Sequence, residues 1–239
     1  MLEEFFDYLR FPSVSAAGAG EAGLRDCACW LQSWLADAGM RARLVEAWGP
    51  PVVLARSPAM PGRPTLLLYG HYDVQPAREA DGWSSAPFQP VERNGYVVAR
   101  GATDNKGPTF ALLLGLRDLL RAGRLPANVV VVLEGEEEVG SPHFGDFLKQ
   151  MGLEVACDVA VVADTSMAGP GRPTLTNALR GICCYDVVVR SPKCDLHSGM
   201  FGGAIQNPAL VLSRILAGMV EANGRVAIPG FYDGVLAPG

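Results

Sequence analysis

Three segments of this chain are apolar almost without interruption, and each breaks on residues that can bind a proton or a metal ion. Residues 64–74, PTLLLYGHYDV, run into His71 and Asp73. Residues 128–135, NVVVVLEG, open a cluster of glutamates at Glu134, Glu136, Glu137 and Glu138, and residues 157–166, CDVAVVADTS, end on Asp164. Strands without hydrophobic alternation must be covered on both faces, which is the condition of a parallel sheet between helices. The helices are supplied between the strands. Apolar groups recur at helical spacing over residues 24–38 and stop at Gly39, GPTFALLLGLRDLLRAG starts at Gly107 or Pro108 and closes at Gly123, and PHFGDFLKQMG gives a shorter helix. The expected class is α/β, a mostly parallel sheet sandwiched by helices, with the first strand breaking at Gly70 and the third buried like the others.

In open α/β sheets, ligands bind outside the carboxyl ends of the strands, and every candidate residue falls there. Each one has a plainer reading when taken alone. His71 and Asp73 are two apart, so an extended chain turns both to one side. A carboxylate can then fix the imidazole tautomer while the other ring nitrogen binds a metal, or the two form a surface pair in a turn. Asp104, in RGATDNKGP, lies just before a helix and suits a cap, and Asp164 suits a cap or a turn. Four carboxylates within five positions repel one another unless water or a cation compensates. Taken together, one histidine and several carboxylates without a thiolate suit hard or borderline divalent ions. A carboxylate shared by two ions gives a two-metal hydrolase site, with a neighbouring glutamate free to take a proton. The serines sit in no nucleophile elbow, and no phosphate loop or dinucleotide fingerprint follows a strand.

The 239 residues carry a net charge of −5 and no long Lys/Arg block, leaving no electrostatic footprint for nucleic acid or an anionic membrane. The opening MLEEFFDYLRF is acidic and amphipathic, unlike a secretory signal, and no apolar run approaches a membrane span, so a cytoplasmic protein is expected. The cysteines at 27, 29, 157, 183, 184 and 194 lack Cys-x-x-Cys spacing and are expected as reduced thiols in packed positions. A change of texture divides the chain into residues 1–178 and 179–239. In the second part CCYDVVVRS alternates like a half-exposed strand, and a Gly-rich loop, HSGMFGG, precedes a helix carrying Leu210, Leu212, Ile215, Leu216 and Met219. One strand, one helix and a loop-like tail cannot bury both faces of a new sheet, so the chain is expected to be part of a longer protein.

Six ordered motifs, FPSVSA, GHYDVQP, GW…PFQP, ARGATDNKGP, EGEEEVGSP and DLHSGMFGGAIQNP, resemble the metallopeptidases that include carnosinase-type dipeptidases, aminoacylases, succinyl-diaminopimelate desuccinylases and carboxypeptidase G. The wording of HYDVQP and DLHSGMFGG is most similar to the dipeptidase branch. The resemblance implies a dinuclear centre, zinc in the family, although manganese accepts the same ligands. It makes His71 and Asp164 ligands of one ion, Asp104 the carboxylate bridging both, and Glu138 a ligand of the second. It makes Glu137 the general base and Asp73 the residue that orients His71. It further implies a cis peptide between Asp104 and Asn105, and a lid and dimerisation domain whose His197 reaches the partner subunit's site. Glu134 and Glu136 match no ligand, and His143 is expected as a surface residue at a helix start. The family's last histidine, which binds the second ion, has no match among His71, His143 and His197.

The resulting expectation is hydrolysis of dipeptides by metal-activated water in a homodimer. The same motifs fit deacylation of N-acyl amino acids. The unmatched histidine motivates a reading of another class, an inactive chain that serves only for metal binding or association.

Overall fold

The computed structural model describes the chain except for residues 19, 47, 191–193, 237–239 and the side chain of residue 79. It divides into two compact units, Met1–Thr176 and Asn177–Gly239. The first contains α1 (Leu2–Arg10), α2 (Ala22–Asp37), β1 (Arg41–Val45), β2 (Val52–Arg56), β3 (Thr65–His71), β4 (Val91–Arg93) and β5 (Tyr96–Val98). After these come α3 (Lys106–Arg121), β6 (Asn128–Glu134), α4 (Phe144–Met151) and β7 (Val159–Val162). Five strands form one sheet in the order β1-β2-β6-β3-β7, and β4 pairs with β5 as a separate ribbon. The strands β6, β3 and β7 run parallel, whereas β1 and β2 extend the sheet antiparallel.

The valine run of β6 explains why both faces are covered. Val129, Val131 and Leu133 face one way, joining Val53, Ala55 and Leu68 against Leu24, Leu31 and Leu35 of α2 and Phe110 and Leu113 of α3. Val130 and Val132 face the other way with Val52 and Leu54, against Phe147 of α4. Aromatic rings lock the first layer: Tyr8 stacks on Trp30 at 5.3 Å, and Trp34 meets Phe110 at 5.3 Å.

Four expectations are corrected. The third strand is not buried: β7 is the sheet edge, with Val159 56% and Val162 54% exposed, because among the described residues it has only β3 as a neighbour. The first strand does not break at Gly70, which continues the ladder opposite Leu133. Residues 183–190 form no strand, since among the described residues nothing pairs with them, and residue 191 lies outside the described residues. Among its described residues, the second unit contains only α5 (Ser198–Phe201), α6 (Pro208–Gly218) and isolated bridges as regular structure. Only Cys27 of the cysteines is buried. Cys29, two positions on, falls on the outer face of α2, and Cys157, Cys183, Cys184 and Cys194 are exposed; all six are free thiols. No helix among the described residues is long and apolar enough to cross a membrane.

Glu4 ties three helices together. It accepts hydrogen bonds from Arg117 of α3 and from Trp34 Nε1 of α2 at 3.3 Å, while the guanidinium lies 4.8 Å over the Trp34 ring. The Arg117 bond holds the Glu4 carboxyl at about 2, below its ordinary 4.5. A depressed folded-state pKa gives stability that is complete above 4.5 and disappears as pH falls toward 2. Glu4 is about one third exposed, so solvent screening limits the contribution. Glu4→Gln is expected to lower stability at pH 7 by about 1 kcal/mol. In urea unfolding measured from pH 7 to pH 3 the gap between the two proteins should shrink, and a constant gap would refute this role.

Candidate metal centre

The parallel register sets His71 opposite Glu134 and Tyr69 opposite Val162. This gathers the carboxyl ends of β3, β6 and β7, so Asp73, the glutamate turn and Asp164 are brought together from distant parts of the sequence. Gly70 lets α3 approach that rim. A Cβ there would sit 2.3 Å from Thr109 Oγ1 and 3.2 Å from Asn105 Oδ1, so a larger residue would push the start of α3 away.

His71 is fully buried, with Nδ1 3.1 Å from the Asp73 carbonyl oxygen and 3.3 Å from Asp73 Oδ1. With the Nδ1 proton directed to Asp73, Nε2 presents its lone pair. That atom is buried and has no hydrogen-bond partner among the described residues. Around it stand Asp104 Oδ1 at 3.3 Å, Glu137 Oε2 at 3.7 Å and Asp164 Oδ1 at 4.0 Å. A lone pair facing three carboxylates is repulsive unless a cation lies between them. Burial alone would push the His71 pKa down. The Asp73 hydrogen bond and the charges of Asp73, Glu137 and Asp164 outweigh it and raise His71 from 6.5 to about 9. A proton is thus favoured where a divalent ion could sit, and one imidazole with several carboxylate oxygens is a donor set that fits such an ion.

The glutamate cluster separates into four environments. Glu134 is buried, accepting from Tyr69 Oη and from Ser141 Oγ at 3.0 Å, and burial raises its pKa. Glu136 accepts the backbone N–H of His143 at 2.9 Å and lies 3.0 Å from its ring Nδ1, which places His143 at the start of α4 as expected. Glu137 faces His71. Desolvation, the largest effect, and the nearby carboxylates raise its pKa against the opposing charge of His71. Glu138 Oε2 accepts from Gln75 Nε2 at 2.9 Å. Among the described residues, the ligand atoms that lie within 4.8 Å of one another belong to His71, Glu137 and Asp164; neither Asp104 nor Glu138, both expected as ligands, is in that group. The peptide between Asp104 and Asn105 is cis. Asp104 is exposed and does not cap α3, whose N-cap is Asn105. His197 belongs to the other unit, where its Nδ1 accepts the Gly199 N–H at 3.1 Å at the start of α5.

Asp73 has a second engagement that spacing did not reveal. Its oxygens accept the backbone N–H groups of Glu137 at 3.2 Å and Glu138 at 3.0 Å, so one buried carboxylate fixes both the imidazole and the turn of the two glutamates. Asn105 and Gln75 were also missed, because an amide beside a charged motif carries no signal of its own in a single sequence.

A family model described as Peptidase family M20/M25/M40 matches residues 67–222. The chain belongs to this family. Among similar proteins, the Cys-Gly metallodipeptidase of Schizosaccharomyces pombe is 38% identical over 190 residues, covering 78% of this chain and 40% of that protein. The Beta-Ala-His dipeptidase of Rattus norvegicus is 37% identical over 187 residues, covering 77% and 38%. A metallo-carboxypeptidase of the same family from Sulfolobus solfataricus superposes with a TM-score of 0.78 at 32% identity, covering 100% of this chain and 54% of that one. The chain therefore spans about two fifths of the length of the curated relatives it matches.

Asp73→Asn exchanges one acceptor oxygen for an N–H donor, so it cannot keep all the bonds that Asp73 makes. Calorimetric titration with Zn2+ is expected to show affinity reduced about 10- to 100-fold. Wild-type affinity in the variant would contradict the shared-anchor role.

Proposed function

We propose that the whole protein is a cytoplasmic metallodipeptidase acting as a homodimer on small unblocked dipeptides. The observation that carries this is the buried, unpartnered Nε2 of His71 among Asp104, Glu137 and Asp164, within a chain of this peptidase family. His71, Asp104 and Asp164 would hold one divalent ion, zinc or manganese. Asp104 and Glu138 would serve a second ion, with a histidine that residues 71, 143 and 197 do not supply. Ions held there would polarise the scissile carbonyl and acidify a water molecule.

The protein's own groups handle the proton. Glu137, half-buried and with its pKa raised, takes a proton from the attacking water and returns it to the leaving nitrogen. Asp73 keeps His71 in one tautomer and holds the Glu137–Glu138 turn at a fixed distance from it. His197, in the unit that resembles a lid and dimerisation domain, contributes a donor to the developing oxyanion of the partner subunit's site.

The test uses the full-length protein loaded with zinc or manganese and assayed on unblocked dipeptides and on N-acyl amino acids. Dipeptide hydrolysis is expected, and Glu137→Gln should lower kcat by about 10²- to 10⁴-fold with metal affinity little changed. Hydrolysis confined to N-acyl amino acids would replace this reading with deacylation. Activity that survives Glu137→Gln would remove Glu137 as the base.

A further inference from the structure

Asp164 lies beyond the end of β7, a four-residue edge strand whose only neighbour among the described residues is β3. The last backbone tie before it is the Ala163 N–H to Tyr69 carbonyl bond at 3.1 Å. The sheet therefore delivers Asp164 to the rim without fixing the plane of its carboxylate. That task falls to a side chain from another element. Asn105 is fully buried at the start of α3, and its Nδ2 donates to Asp164 Oδ1 at 3.0 Å and to the Ala163 carbonyl. Its Oδ1 accepts from Thr109 Oγ1 and from the His71 backbone N–H at 3.4 Å.

We infer that Asn105 is a positioning residue for the metal centre, whose carboxamide sets Asp164 against His71 by bonding to both strand ends at once. The polarity of its surroundings specifies an amide. Two donors face Oδ1 and two acceptors face Nδ2, and asparagine offers one acceptor oxygen and one donor nitrogen at that reach. A local role in the helix does not account for the burial. Asn105 occupies the N-cap position of α3, yet its side chain caps no helical N–H. The bonds go instead to β3, to the two residues just beyond β7 and to Thr109 one turn along α3. The oxygen that Asn105 bonds, Asp164 Oδ1, is also the one that faces His71 Nε2 at 4.0 Å, so the bond orients the atom that meets the site. Asn105 thereby acts through Asp164 and touches no substrate.

The inference rests on Asp164 being a ligand, and the experiment separates the two claims. Zn2+ binding is measured by calorimetry, and Co2+ binding by visible absorption, on the full chain and on Asn105→Asp, Asp164→Asn and the double variant. Asn105→Asp preserves shape and turns the two donated bonds into clashes of acceptors. It is expected to weaken Zn2+ binding at least about tenfold and to alter the Co2+ spectrum, with the thermal unfolding transition retained. Because Asn105 acts through Asp164, the double variant should bind no more weakly than Asp164→Asn alone. Affinity losses that add, or a folded Asn105→Asp with wild-type affinity, would overturn the inference. Asp164→Asn with wild-type affinity would instead refute the assignment of Asp164 as a ligand. Should Asn105→Asp fail to fold, Thr109→Val carries the test: it frees Oδ1 without touching Asp164 and should weaken Zn2+ binding severalfold, and unchanged affinity would again overturn the inference.

Discussion

The buried carboxylate of Asp73 is the contact on which the rim of this sheet depends. Its partners are an imidazole two residues earlier and two backbone N–H groups more than sixty residues later. An unpaired carboxylate in that position would be costly, so the fold around it is complete only when β3 and the glutamate turn are in register. Packing of the core and arrangement of the site are therefore joined: the parallel pairing of β3 with β6 brings the turn to Asp73, and Asp73 then holds it there.

Around that anchor the fold sorts like charges instead of dispersing them. Glu134 is drawn inward by Tyr69 and Ser141, Glu136 is met by His143, and Glu138 by Gln75. Glu137 remains to face His71 with Asp104 and Asp164. The buried Lys106 supplies a different kind of support one residue from Asn105. Its ammonium donates to the carbonyls of Tyr8 and Phe11 at 3.1 and 2.8 Å, tying the loop that carries Asp104 to the end of α1.

Much of this arrangement was legible because parallel strands leave a strong trace. Uninterrupted apolar runs identified β3, β6 and β7, and the first polar residues beyond them marked the rim. Pairing was less legible, since the same apolar run describes a central strand and an edge strand: β7 reads like β6 in sequence but, among the described residues, has a neighbour on one side only. The alternating residues 183–190 carry a strand pattern and still form none, because a strand needs a partner and none is found among the described residues. Spacing placed His71 beside Asp73, but it could not show that Asp73 also reaches Glu137 and Glu138. Asn105 was invisible for a related reason: its importance lies in four contacts contributed by three elements, and none is local in sequence apart from Thr109.

The central claim is that Nε2 of His71 and the carboxylates around it form a cation site. Crystals of the full chain grown with Zn2+, with diffraction collected on both sides of the zinc absorption edge, address it directly. An anomalous peak about 2.0 to 2.2 Å from His71 Nε2 and from an oxygen of Asp104 or Asp164 is the predicted result. Zinc-containing crystals with no anomalous peak in coordination range of His71 Nε2 would contradict it.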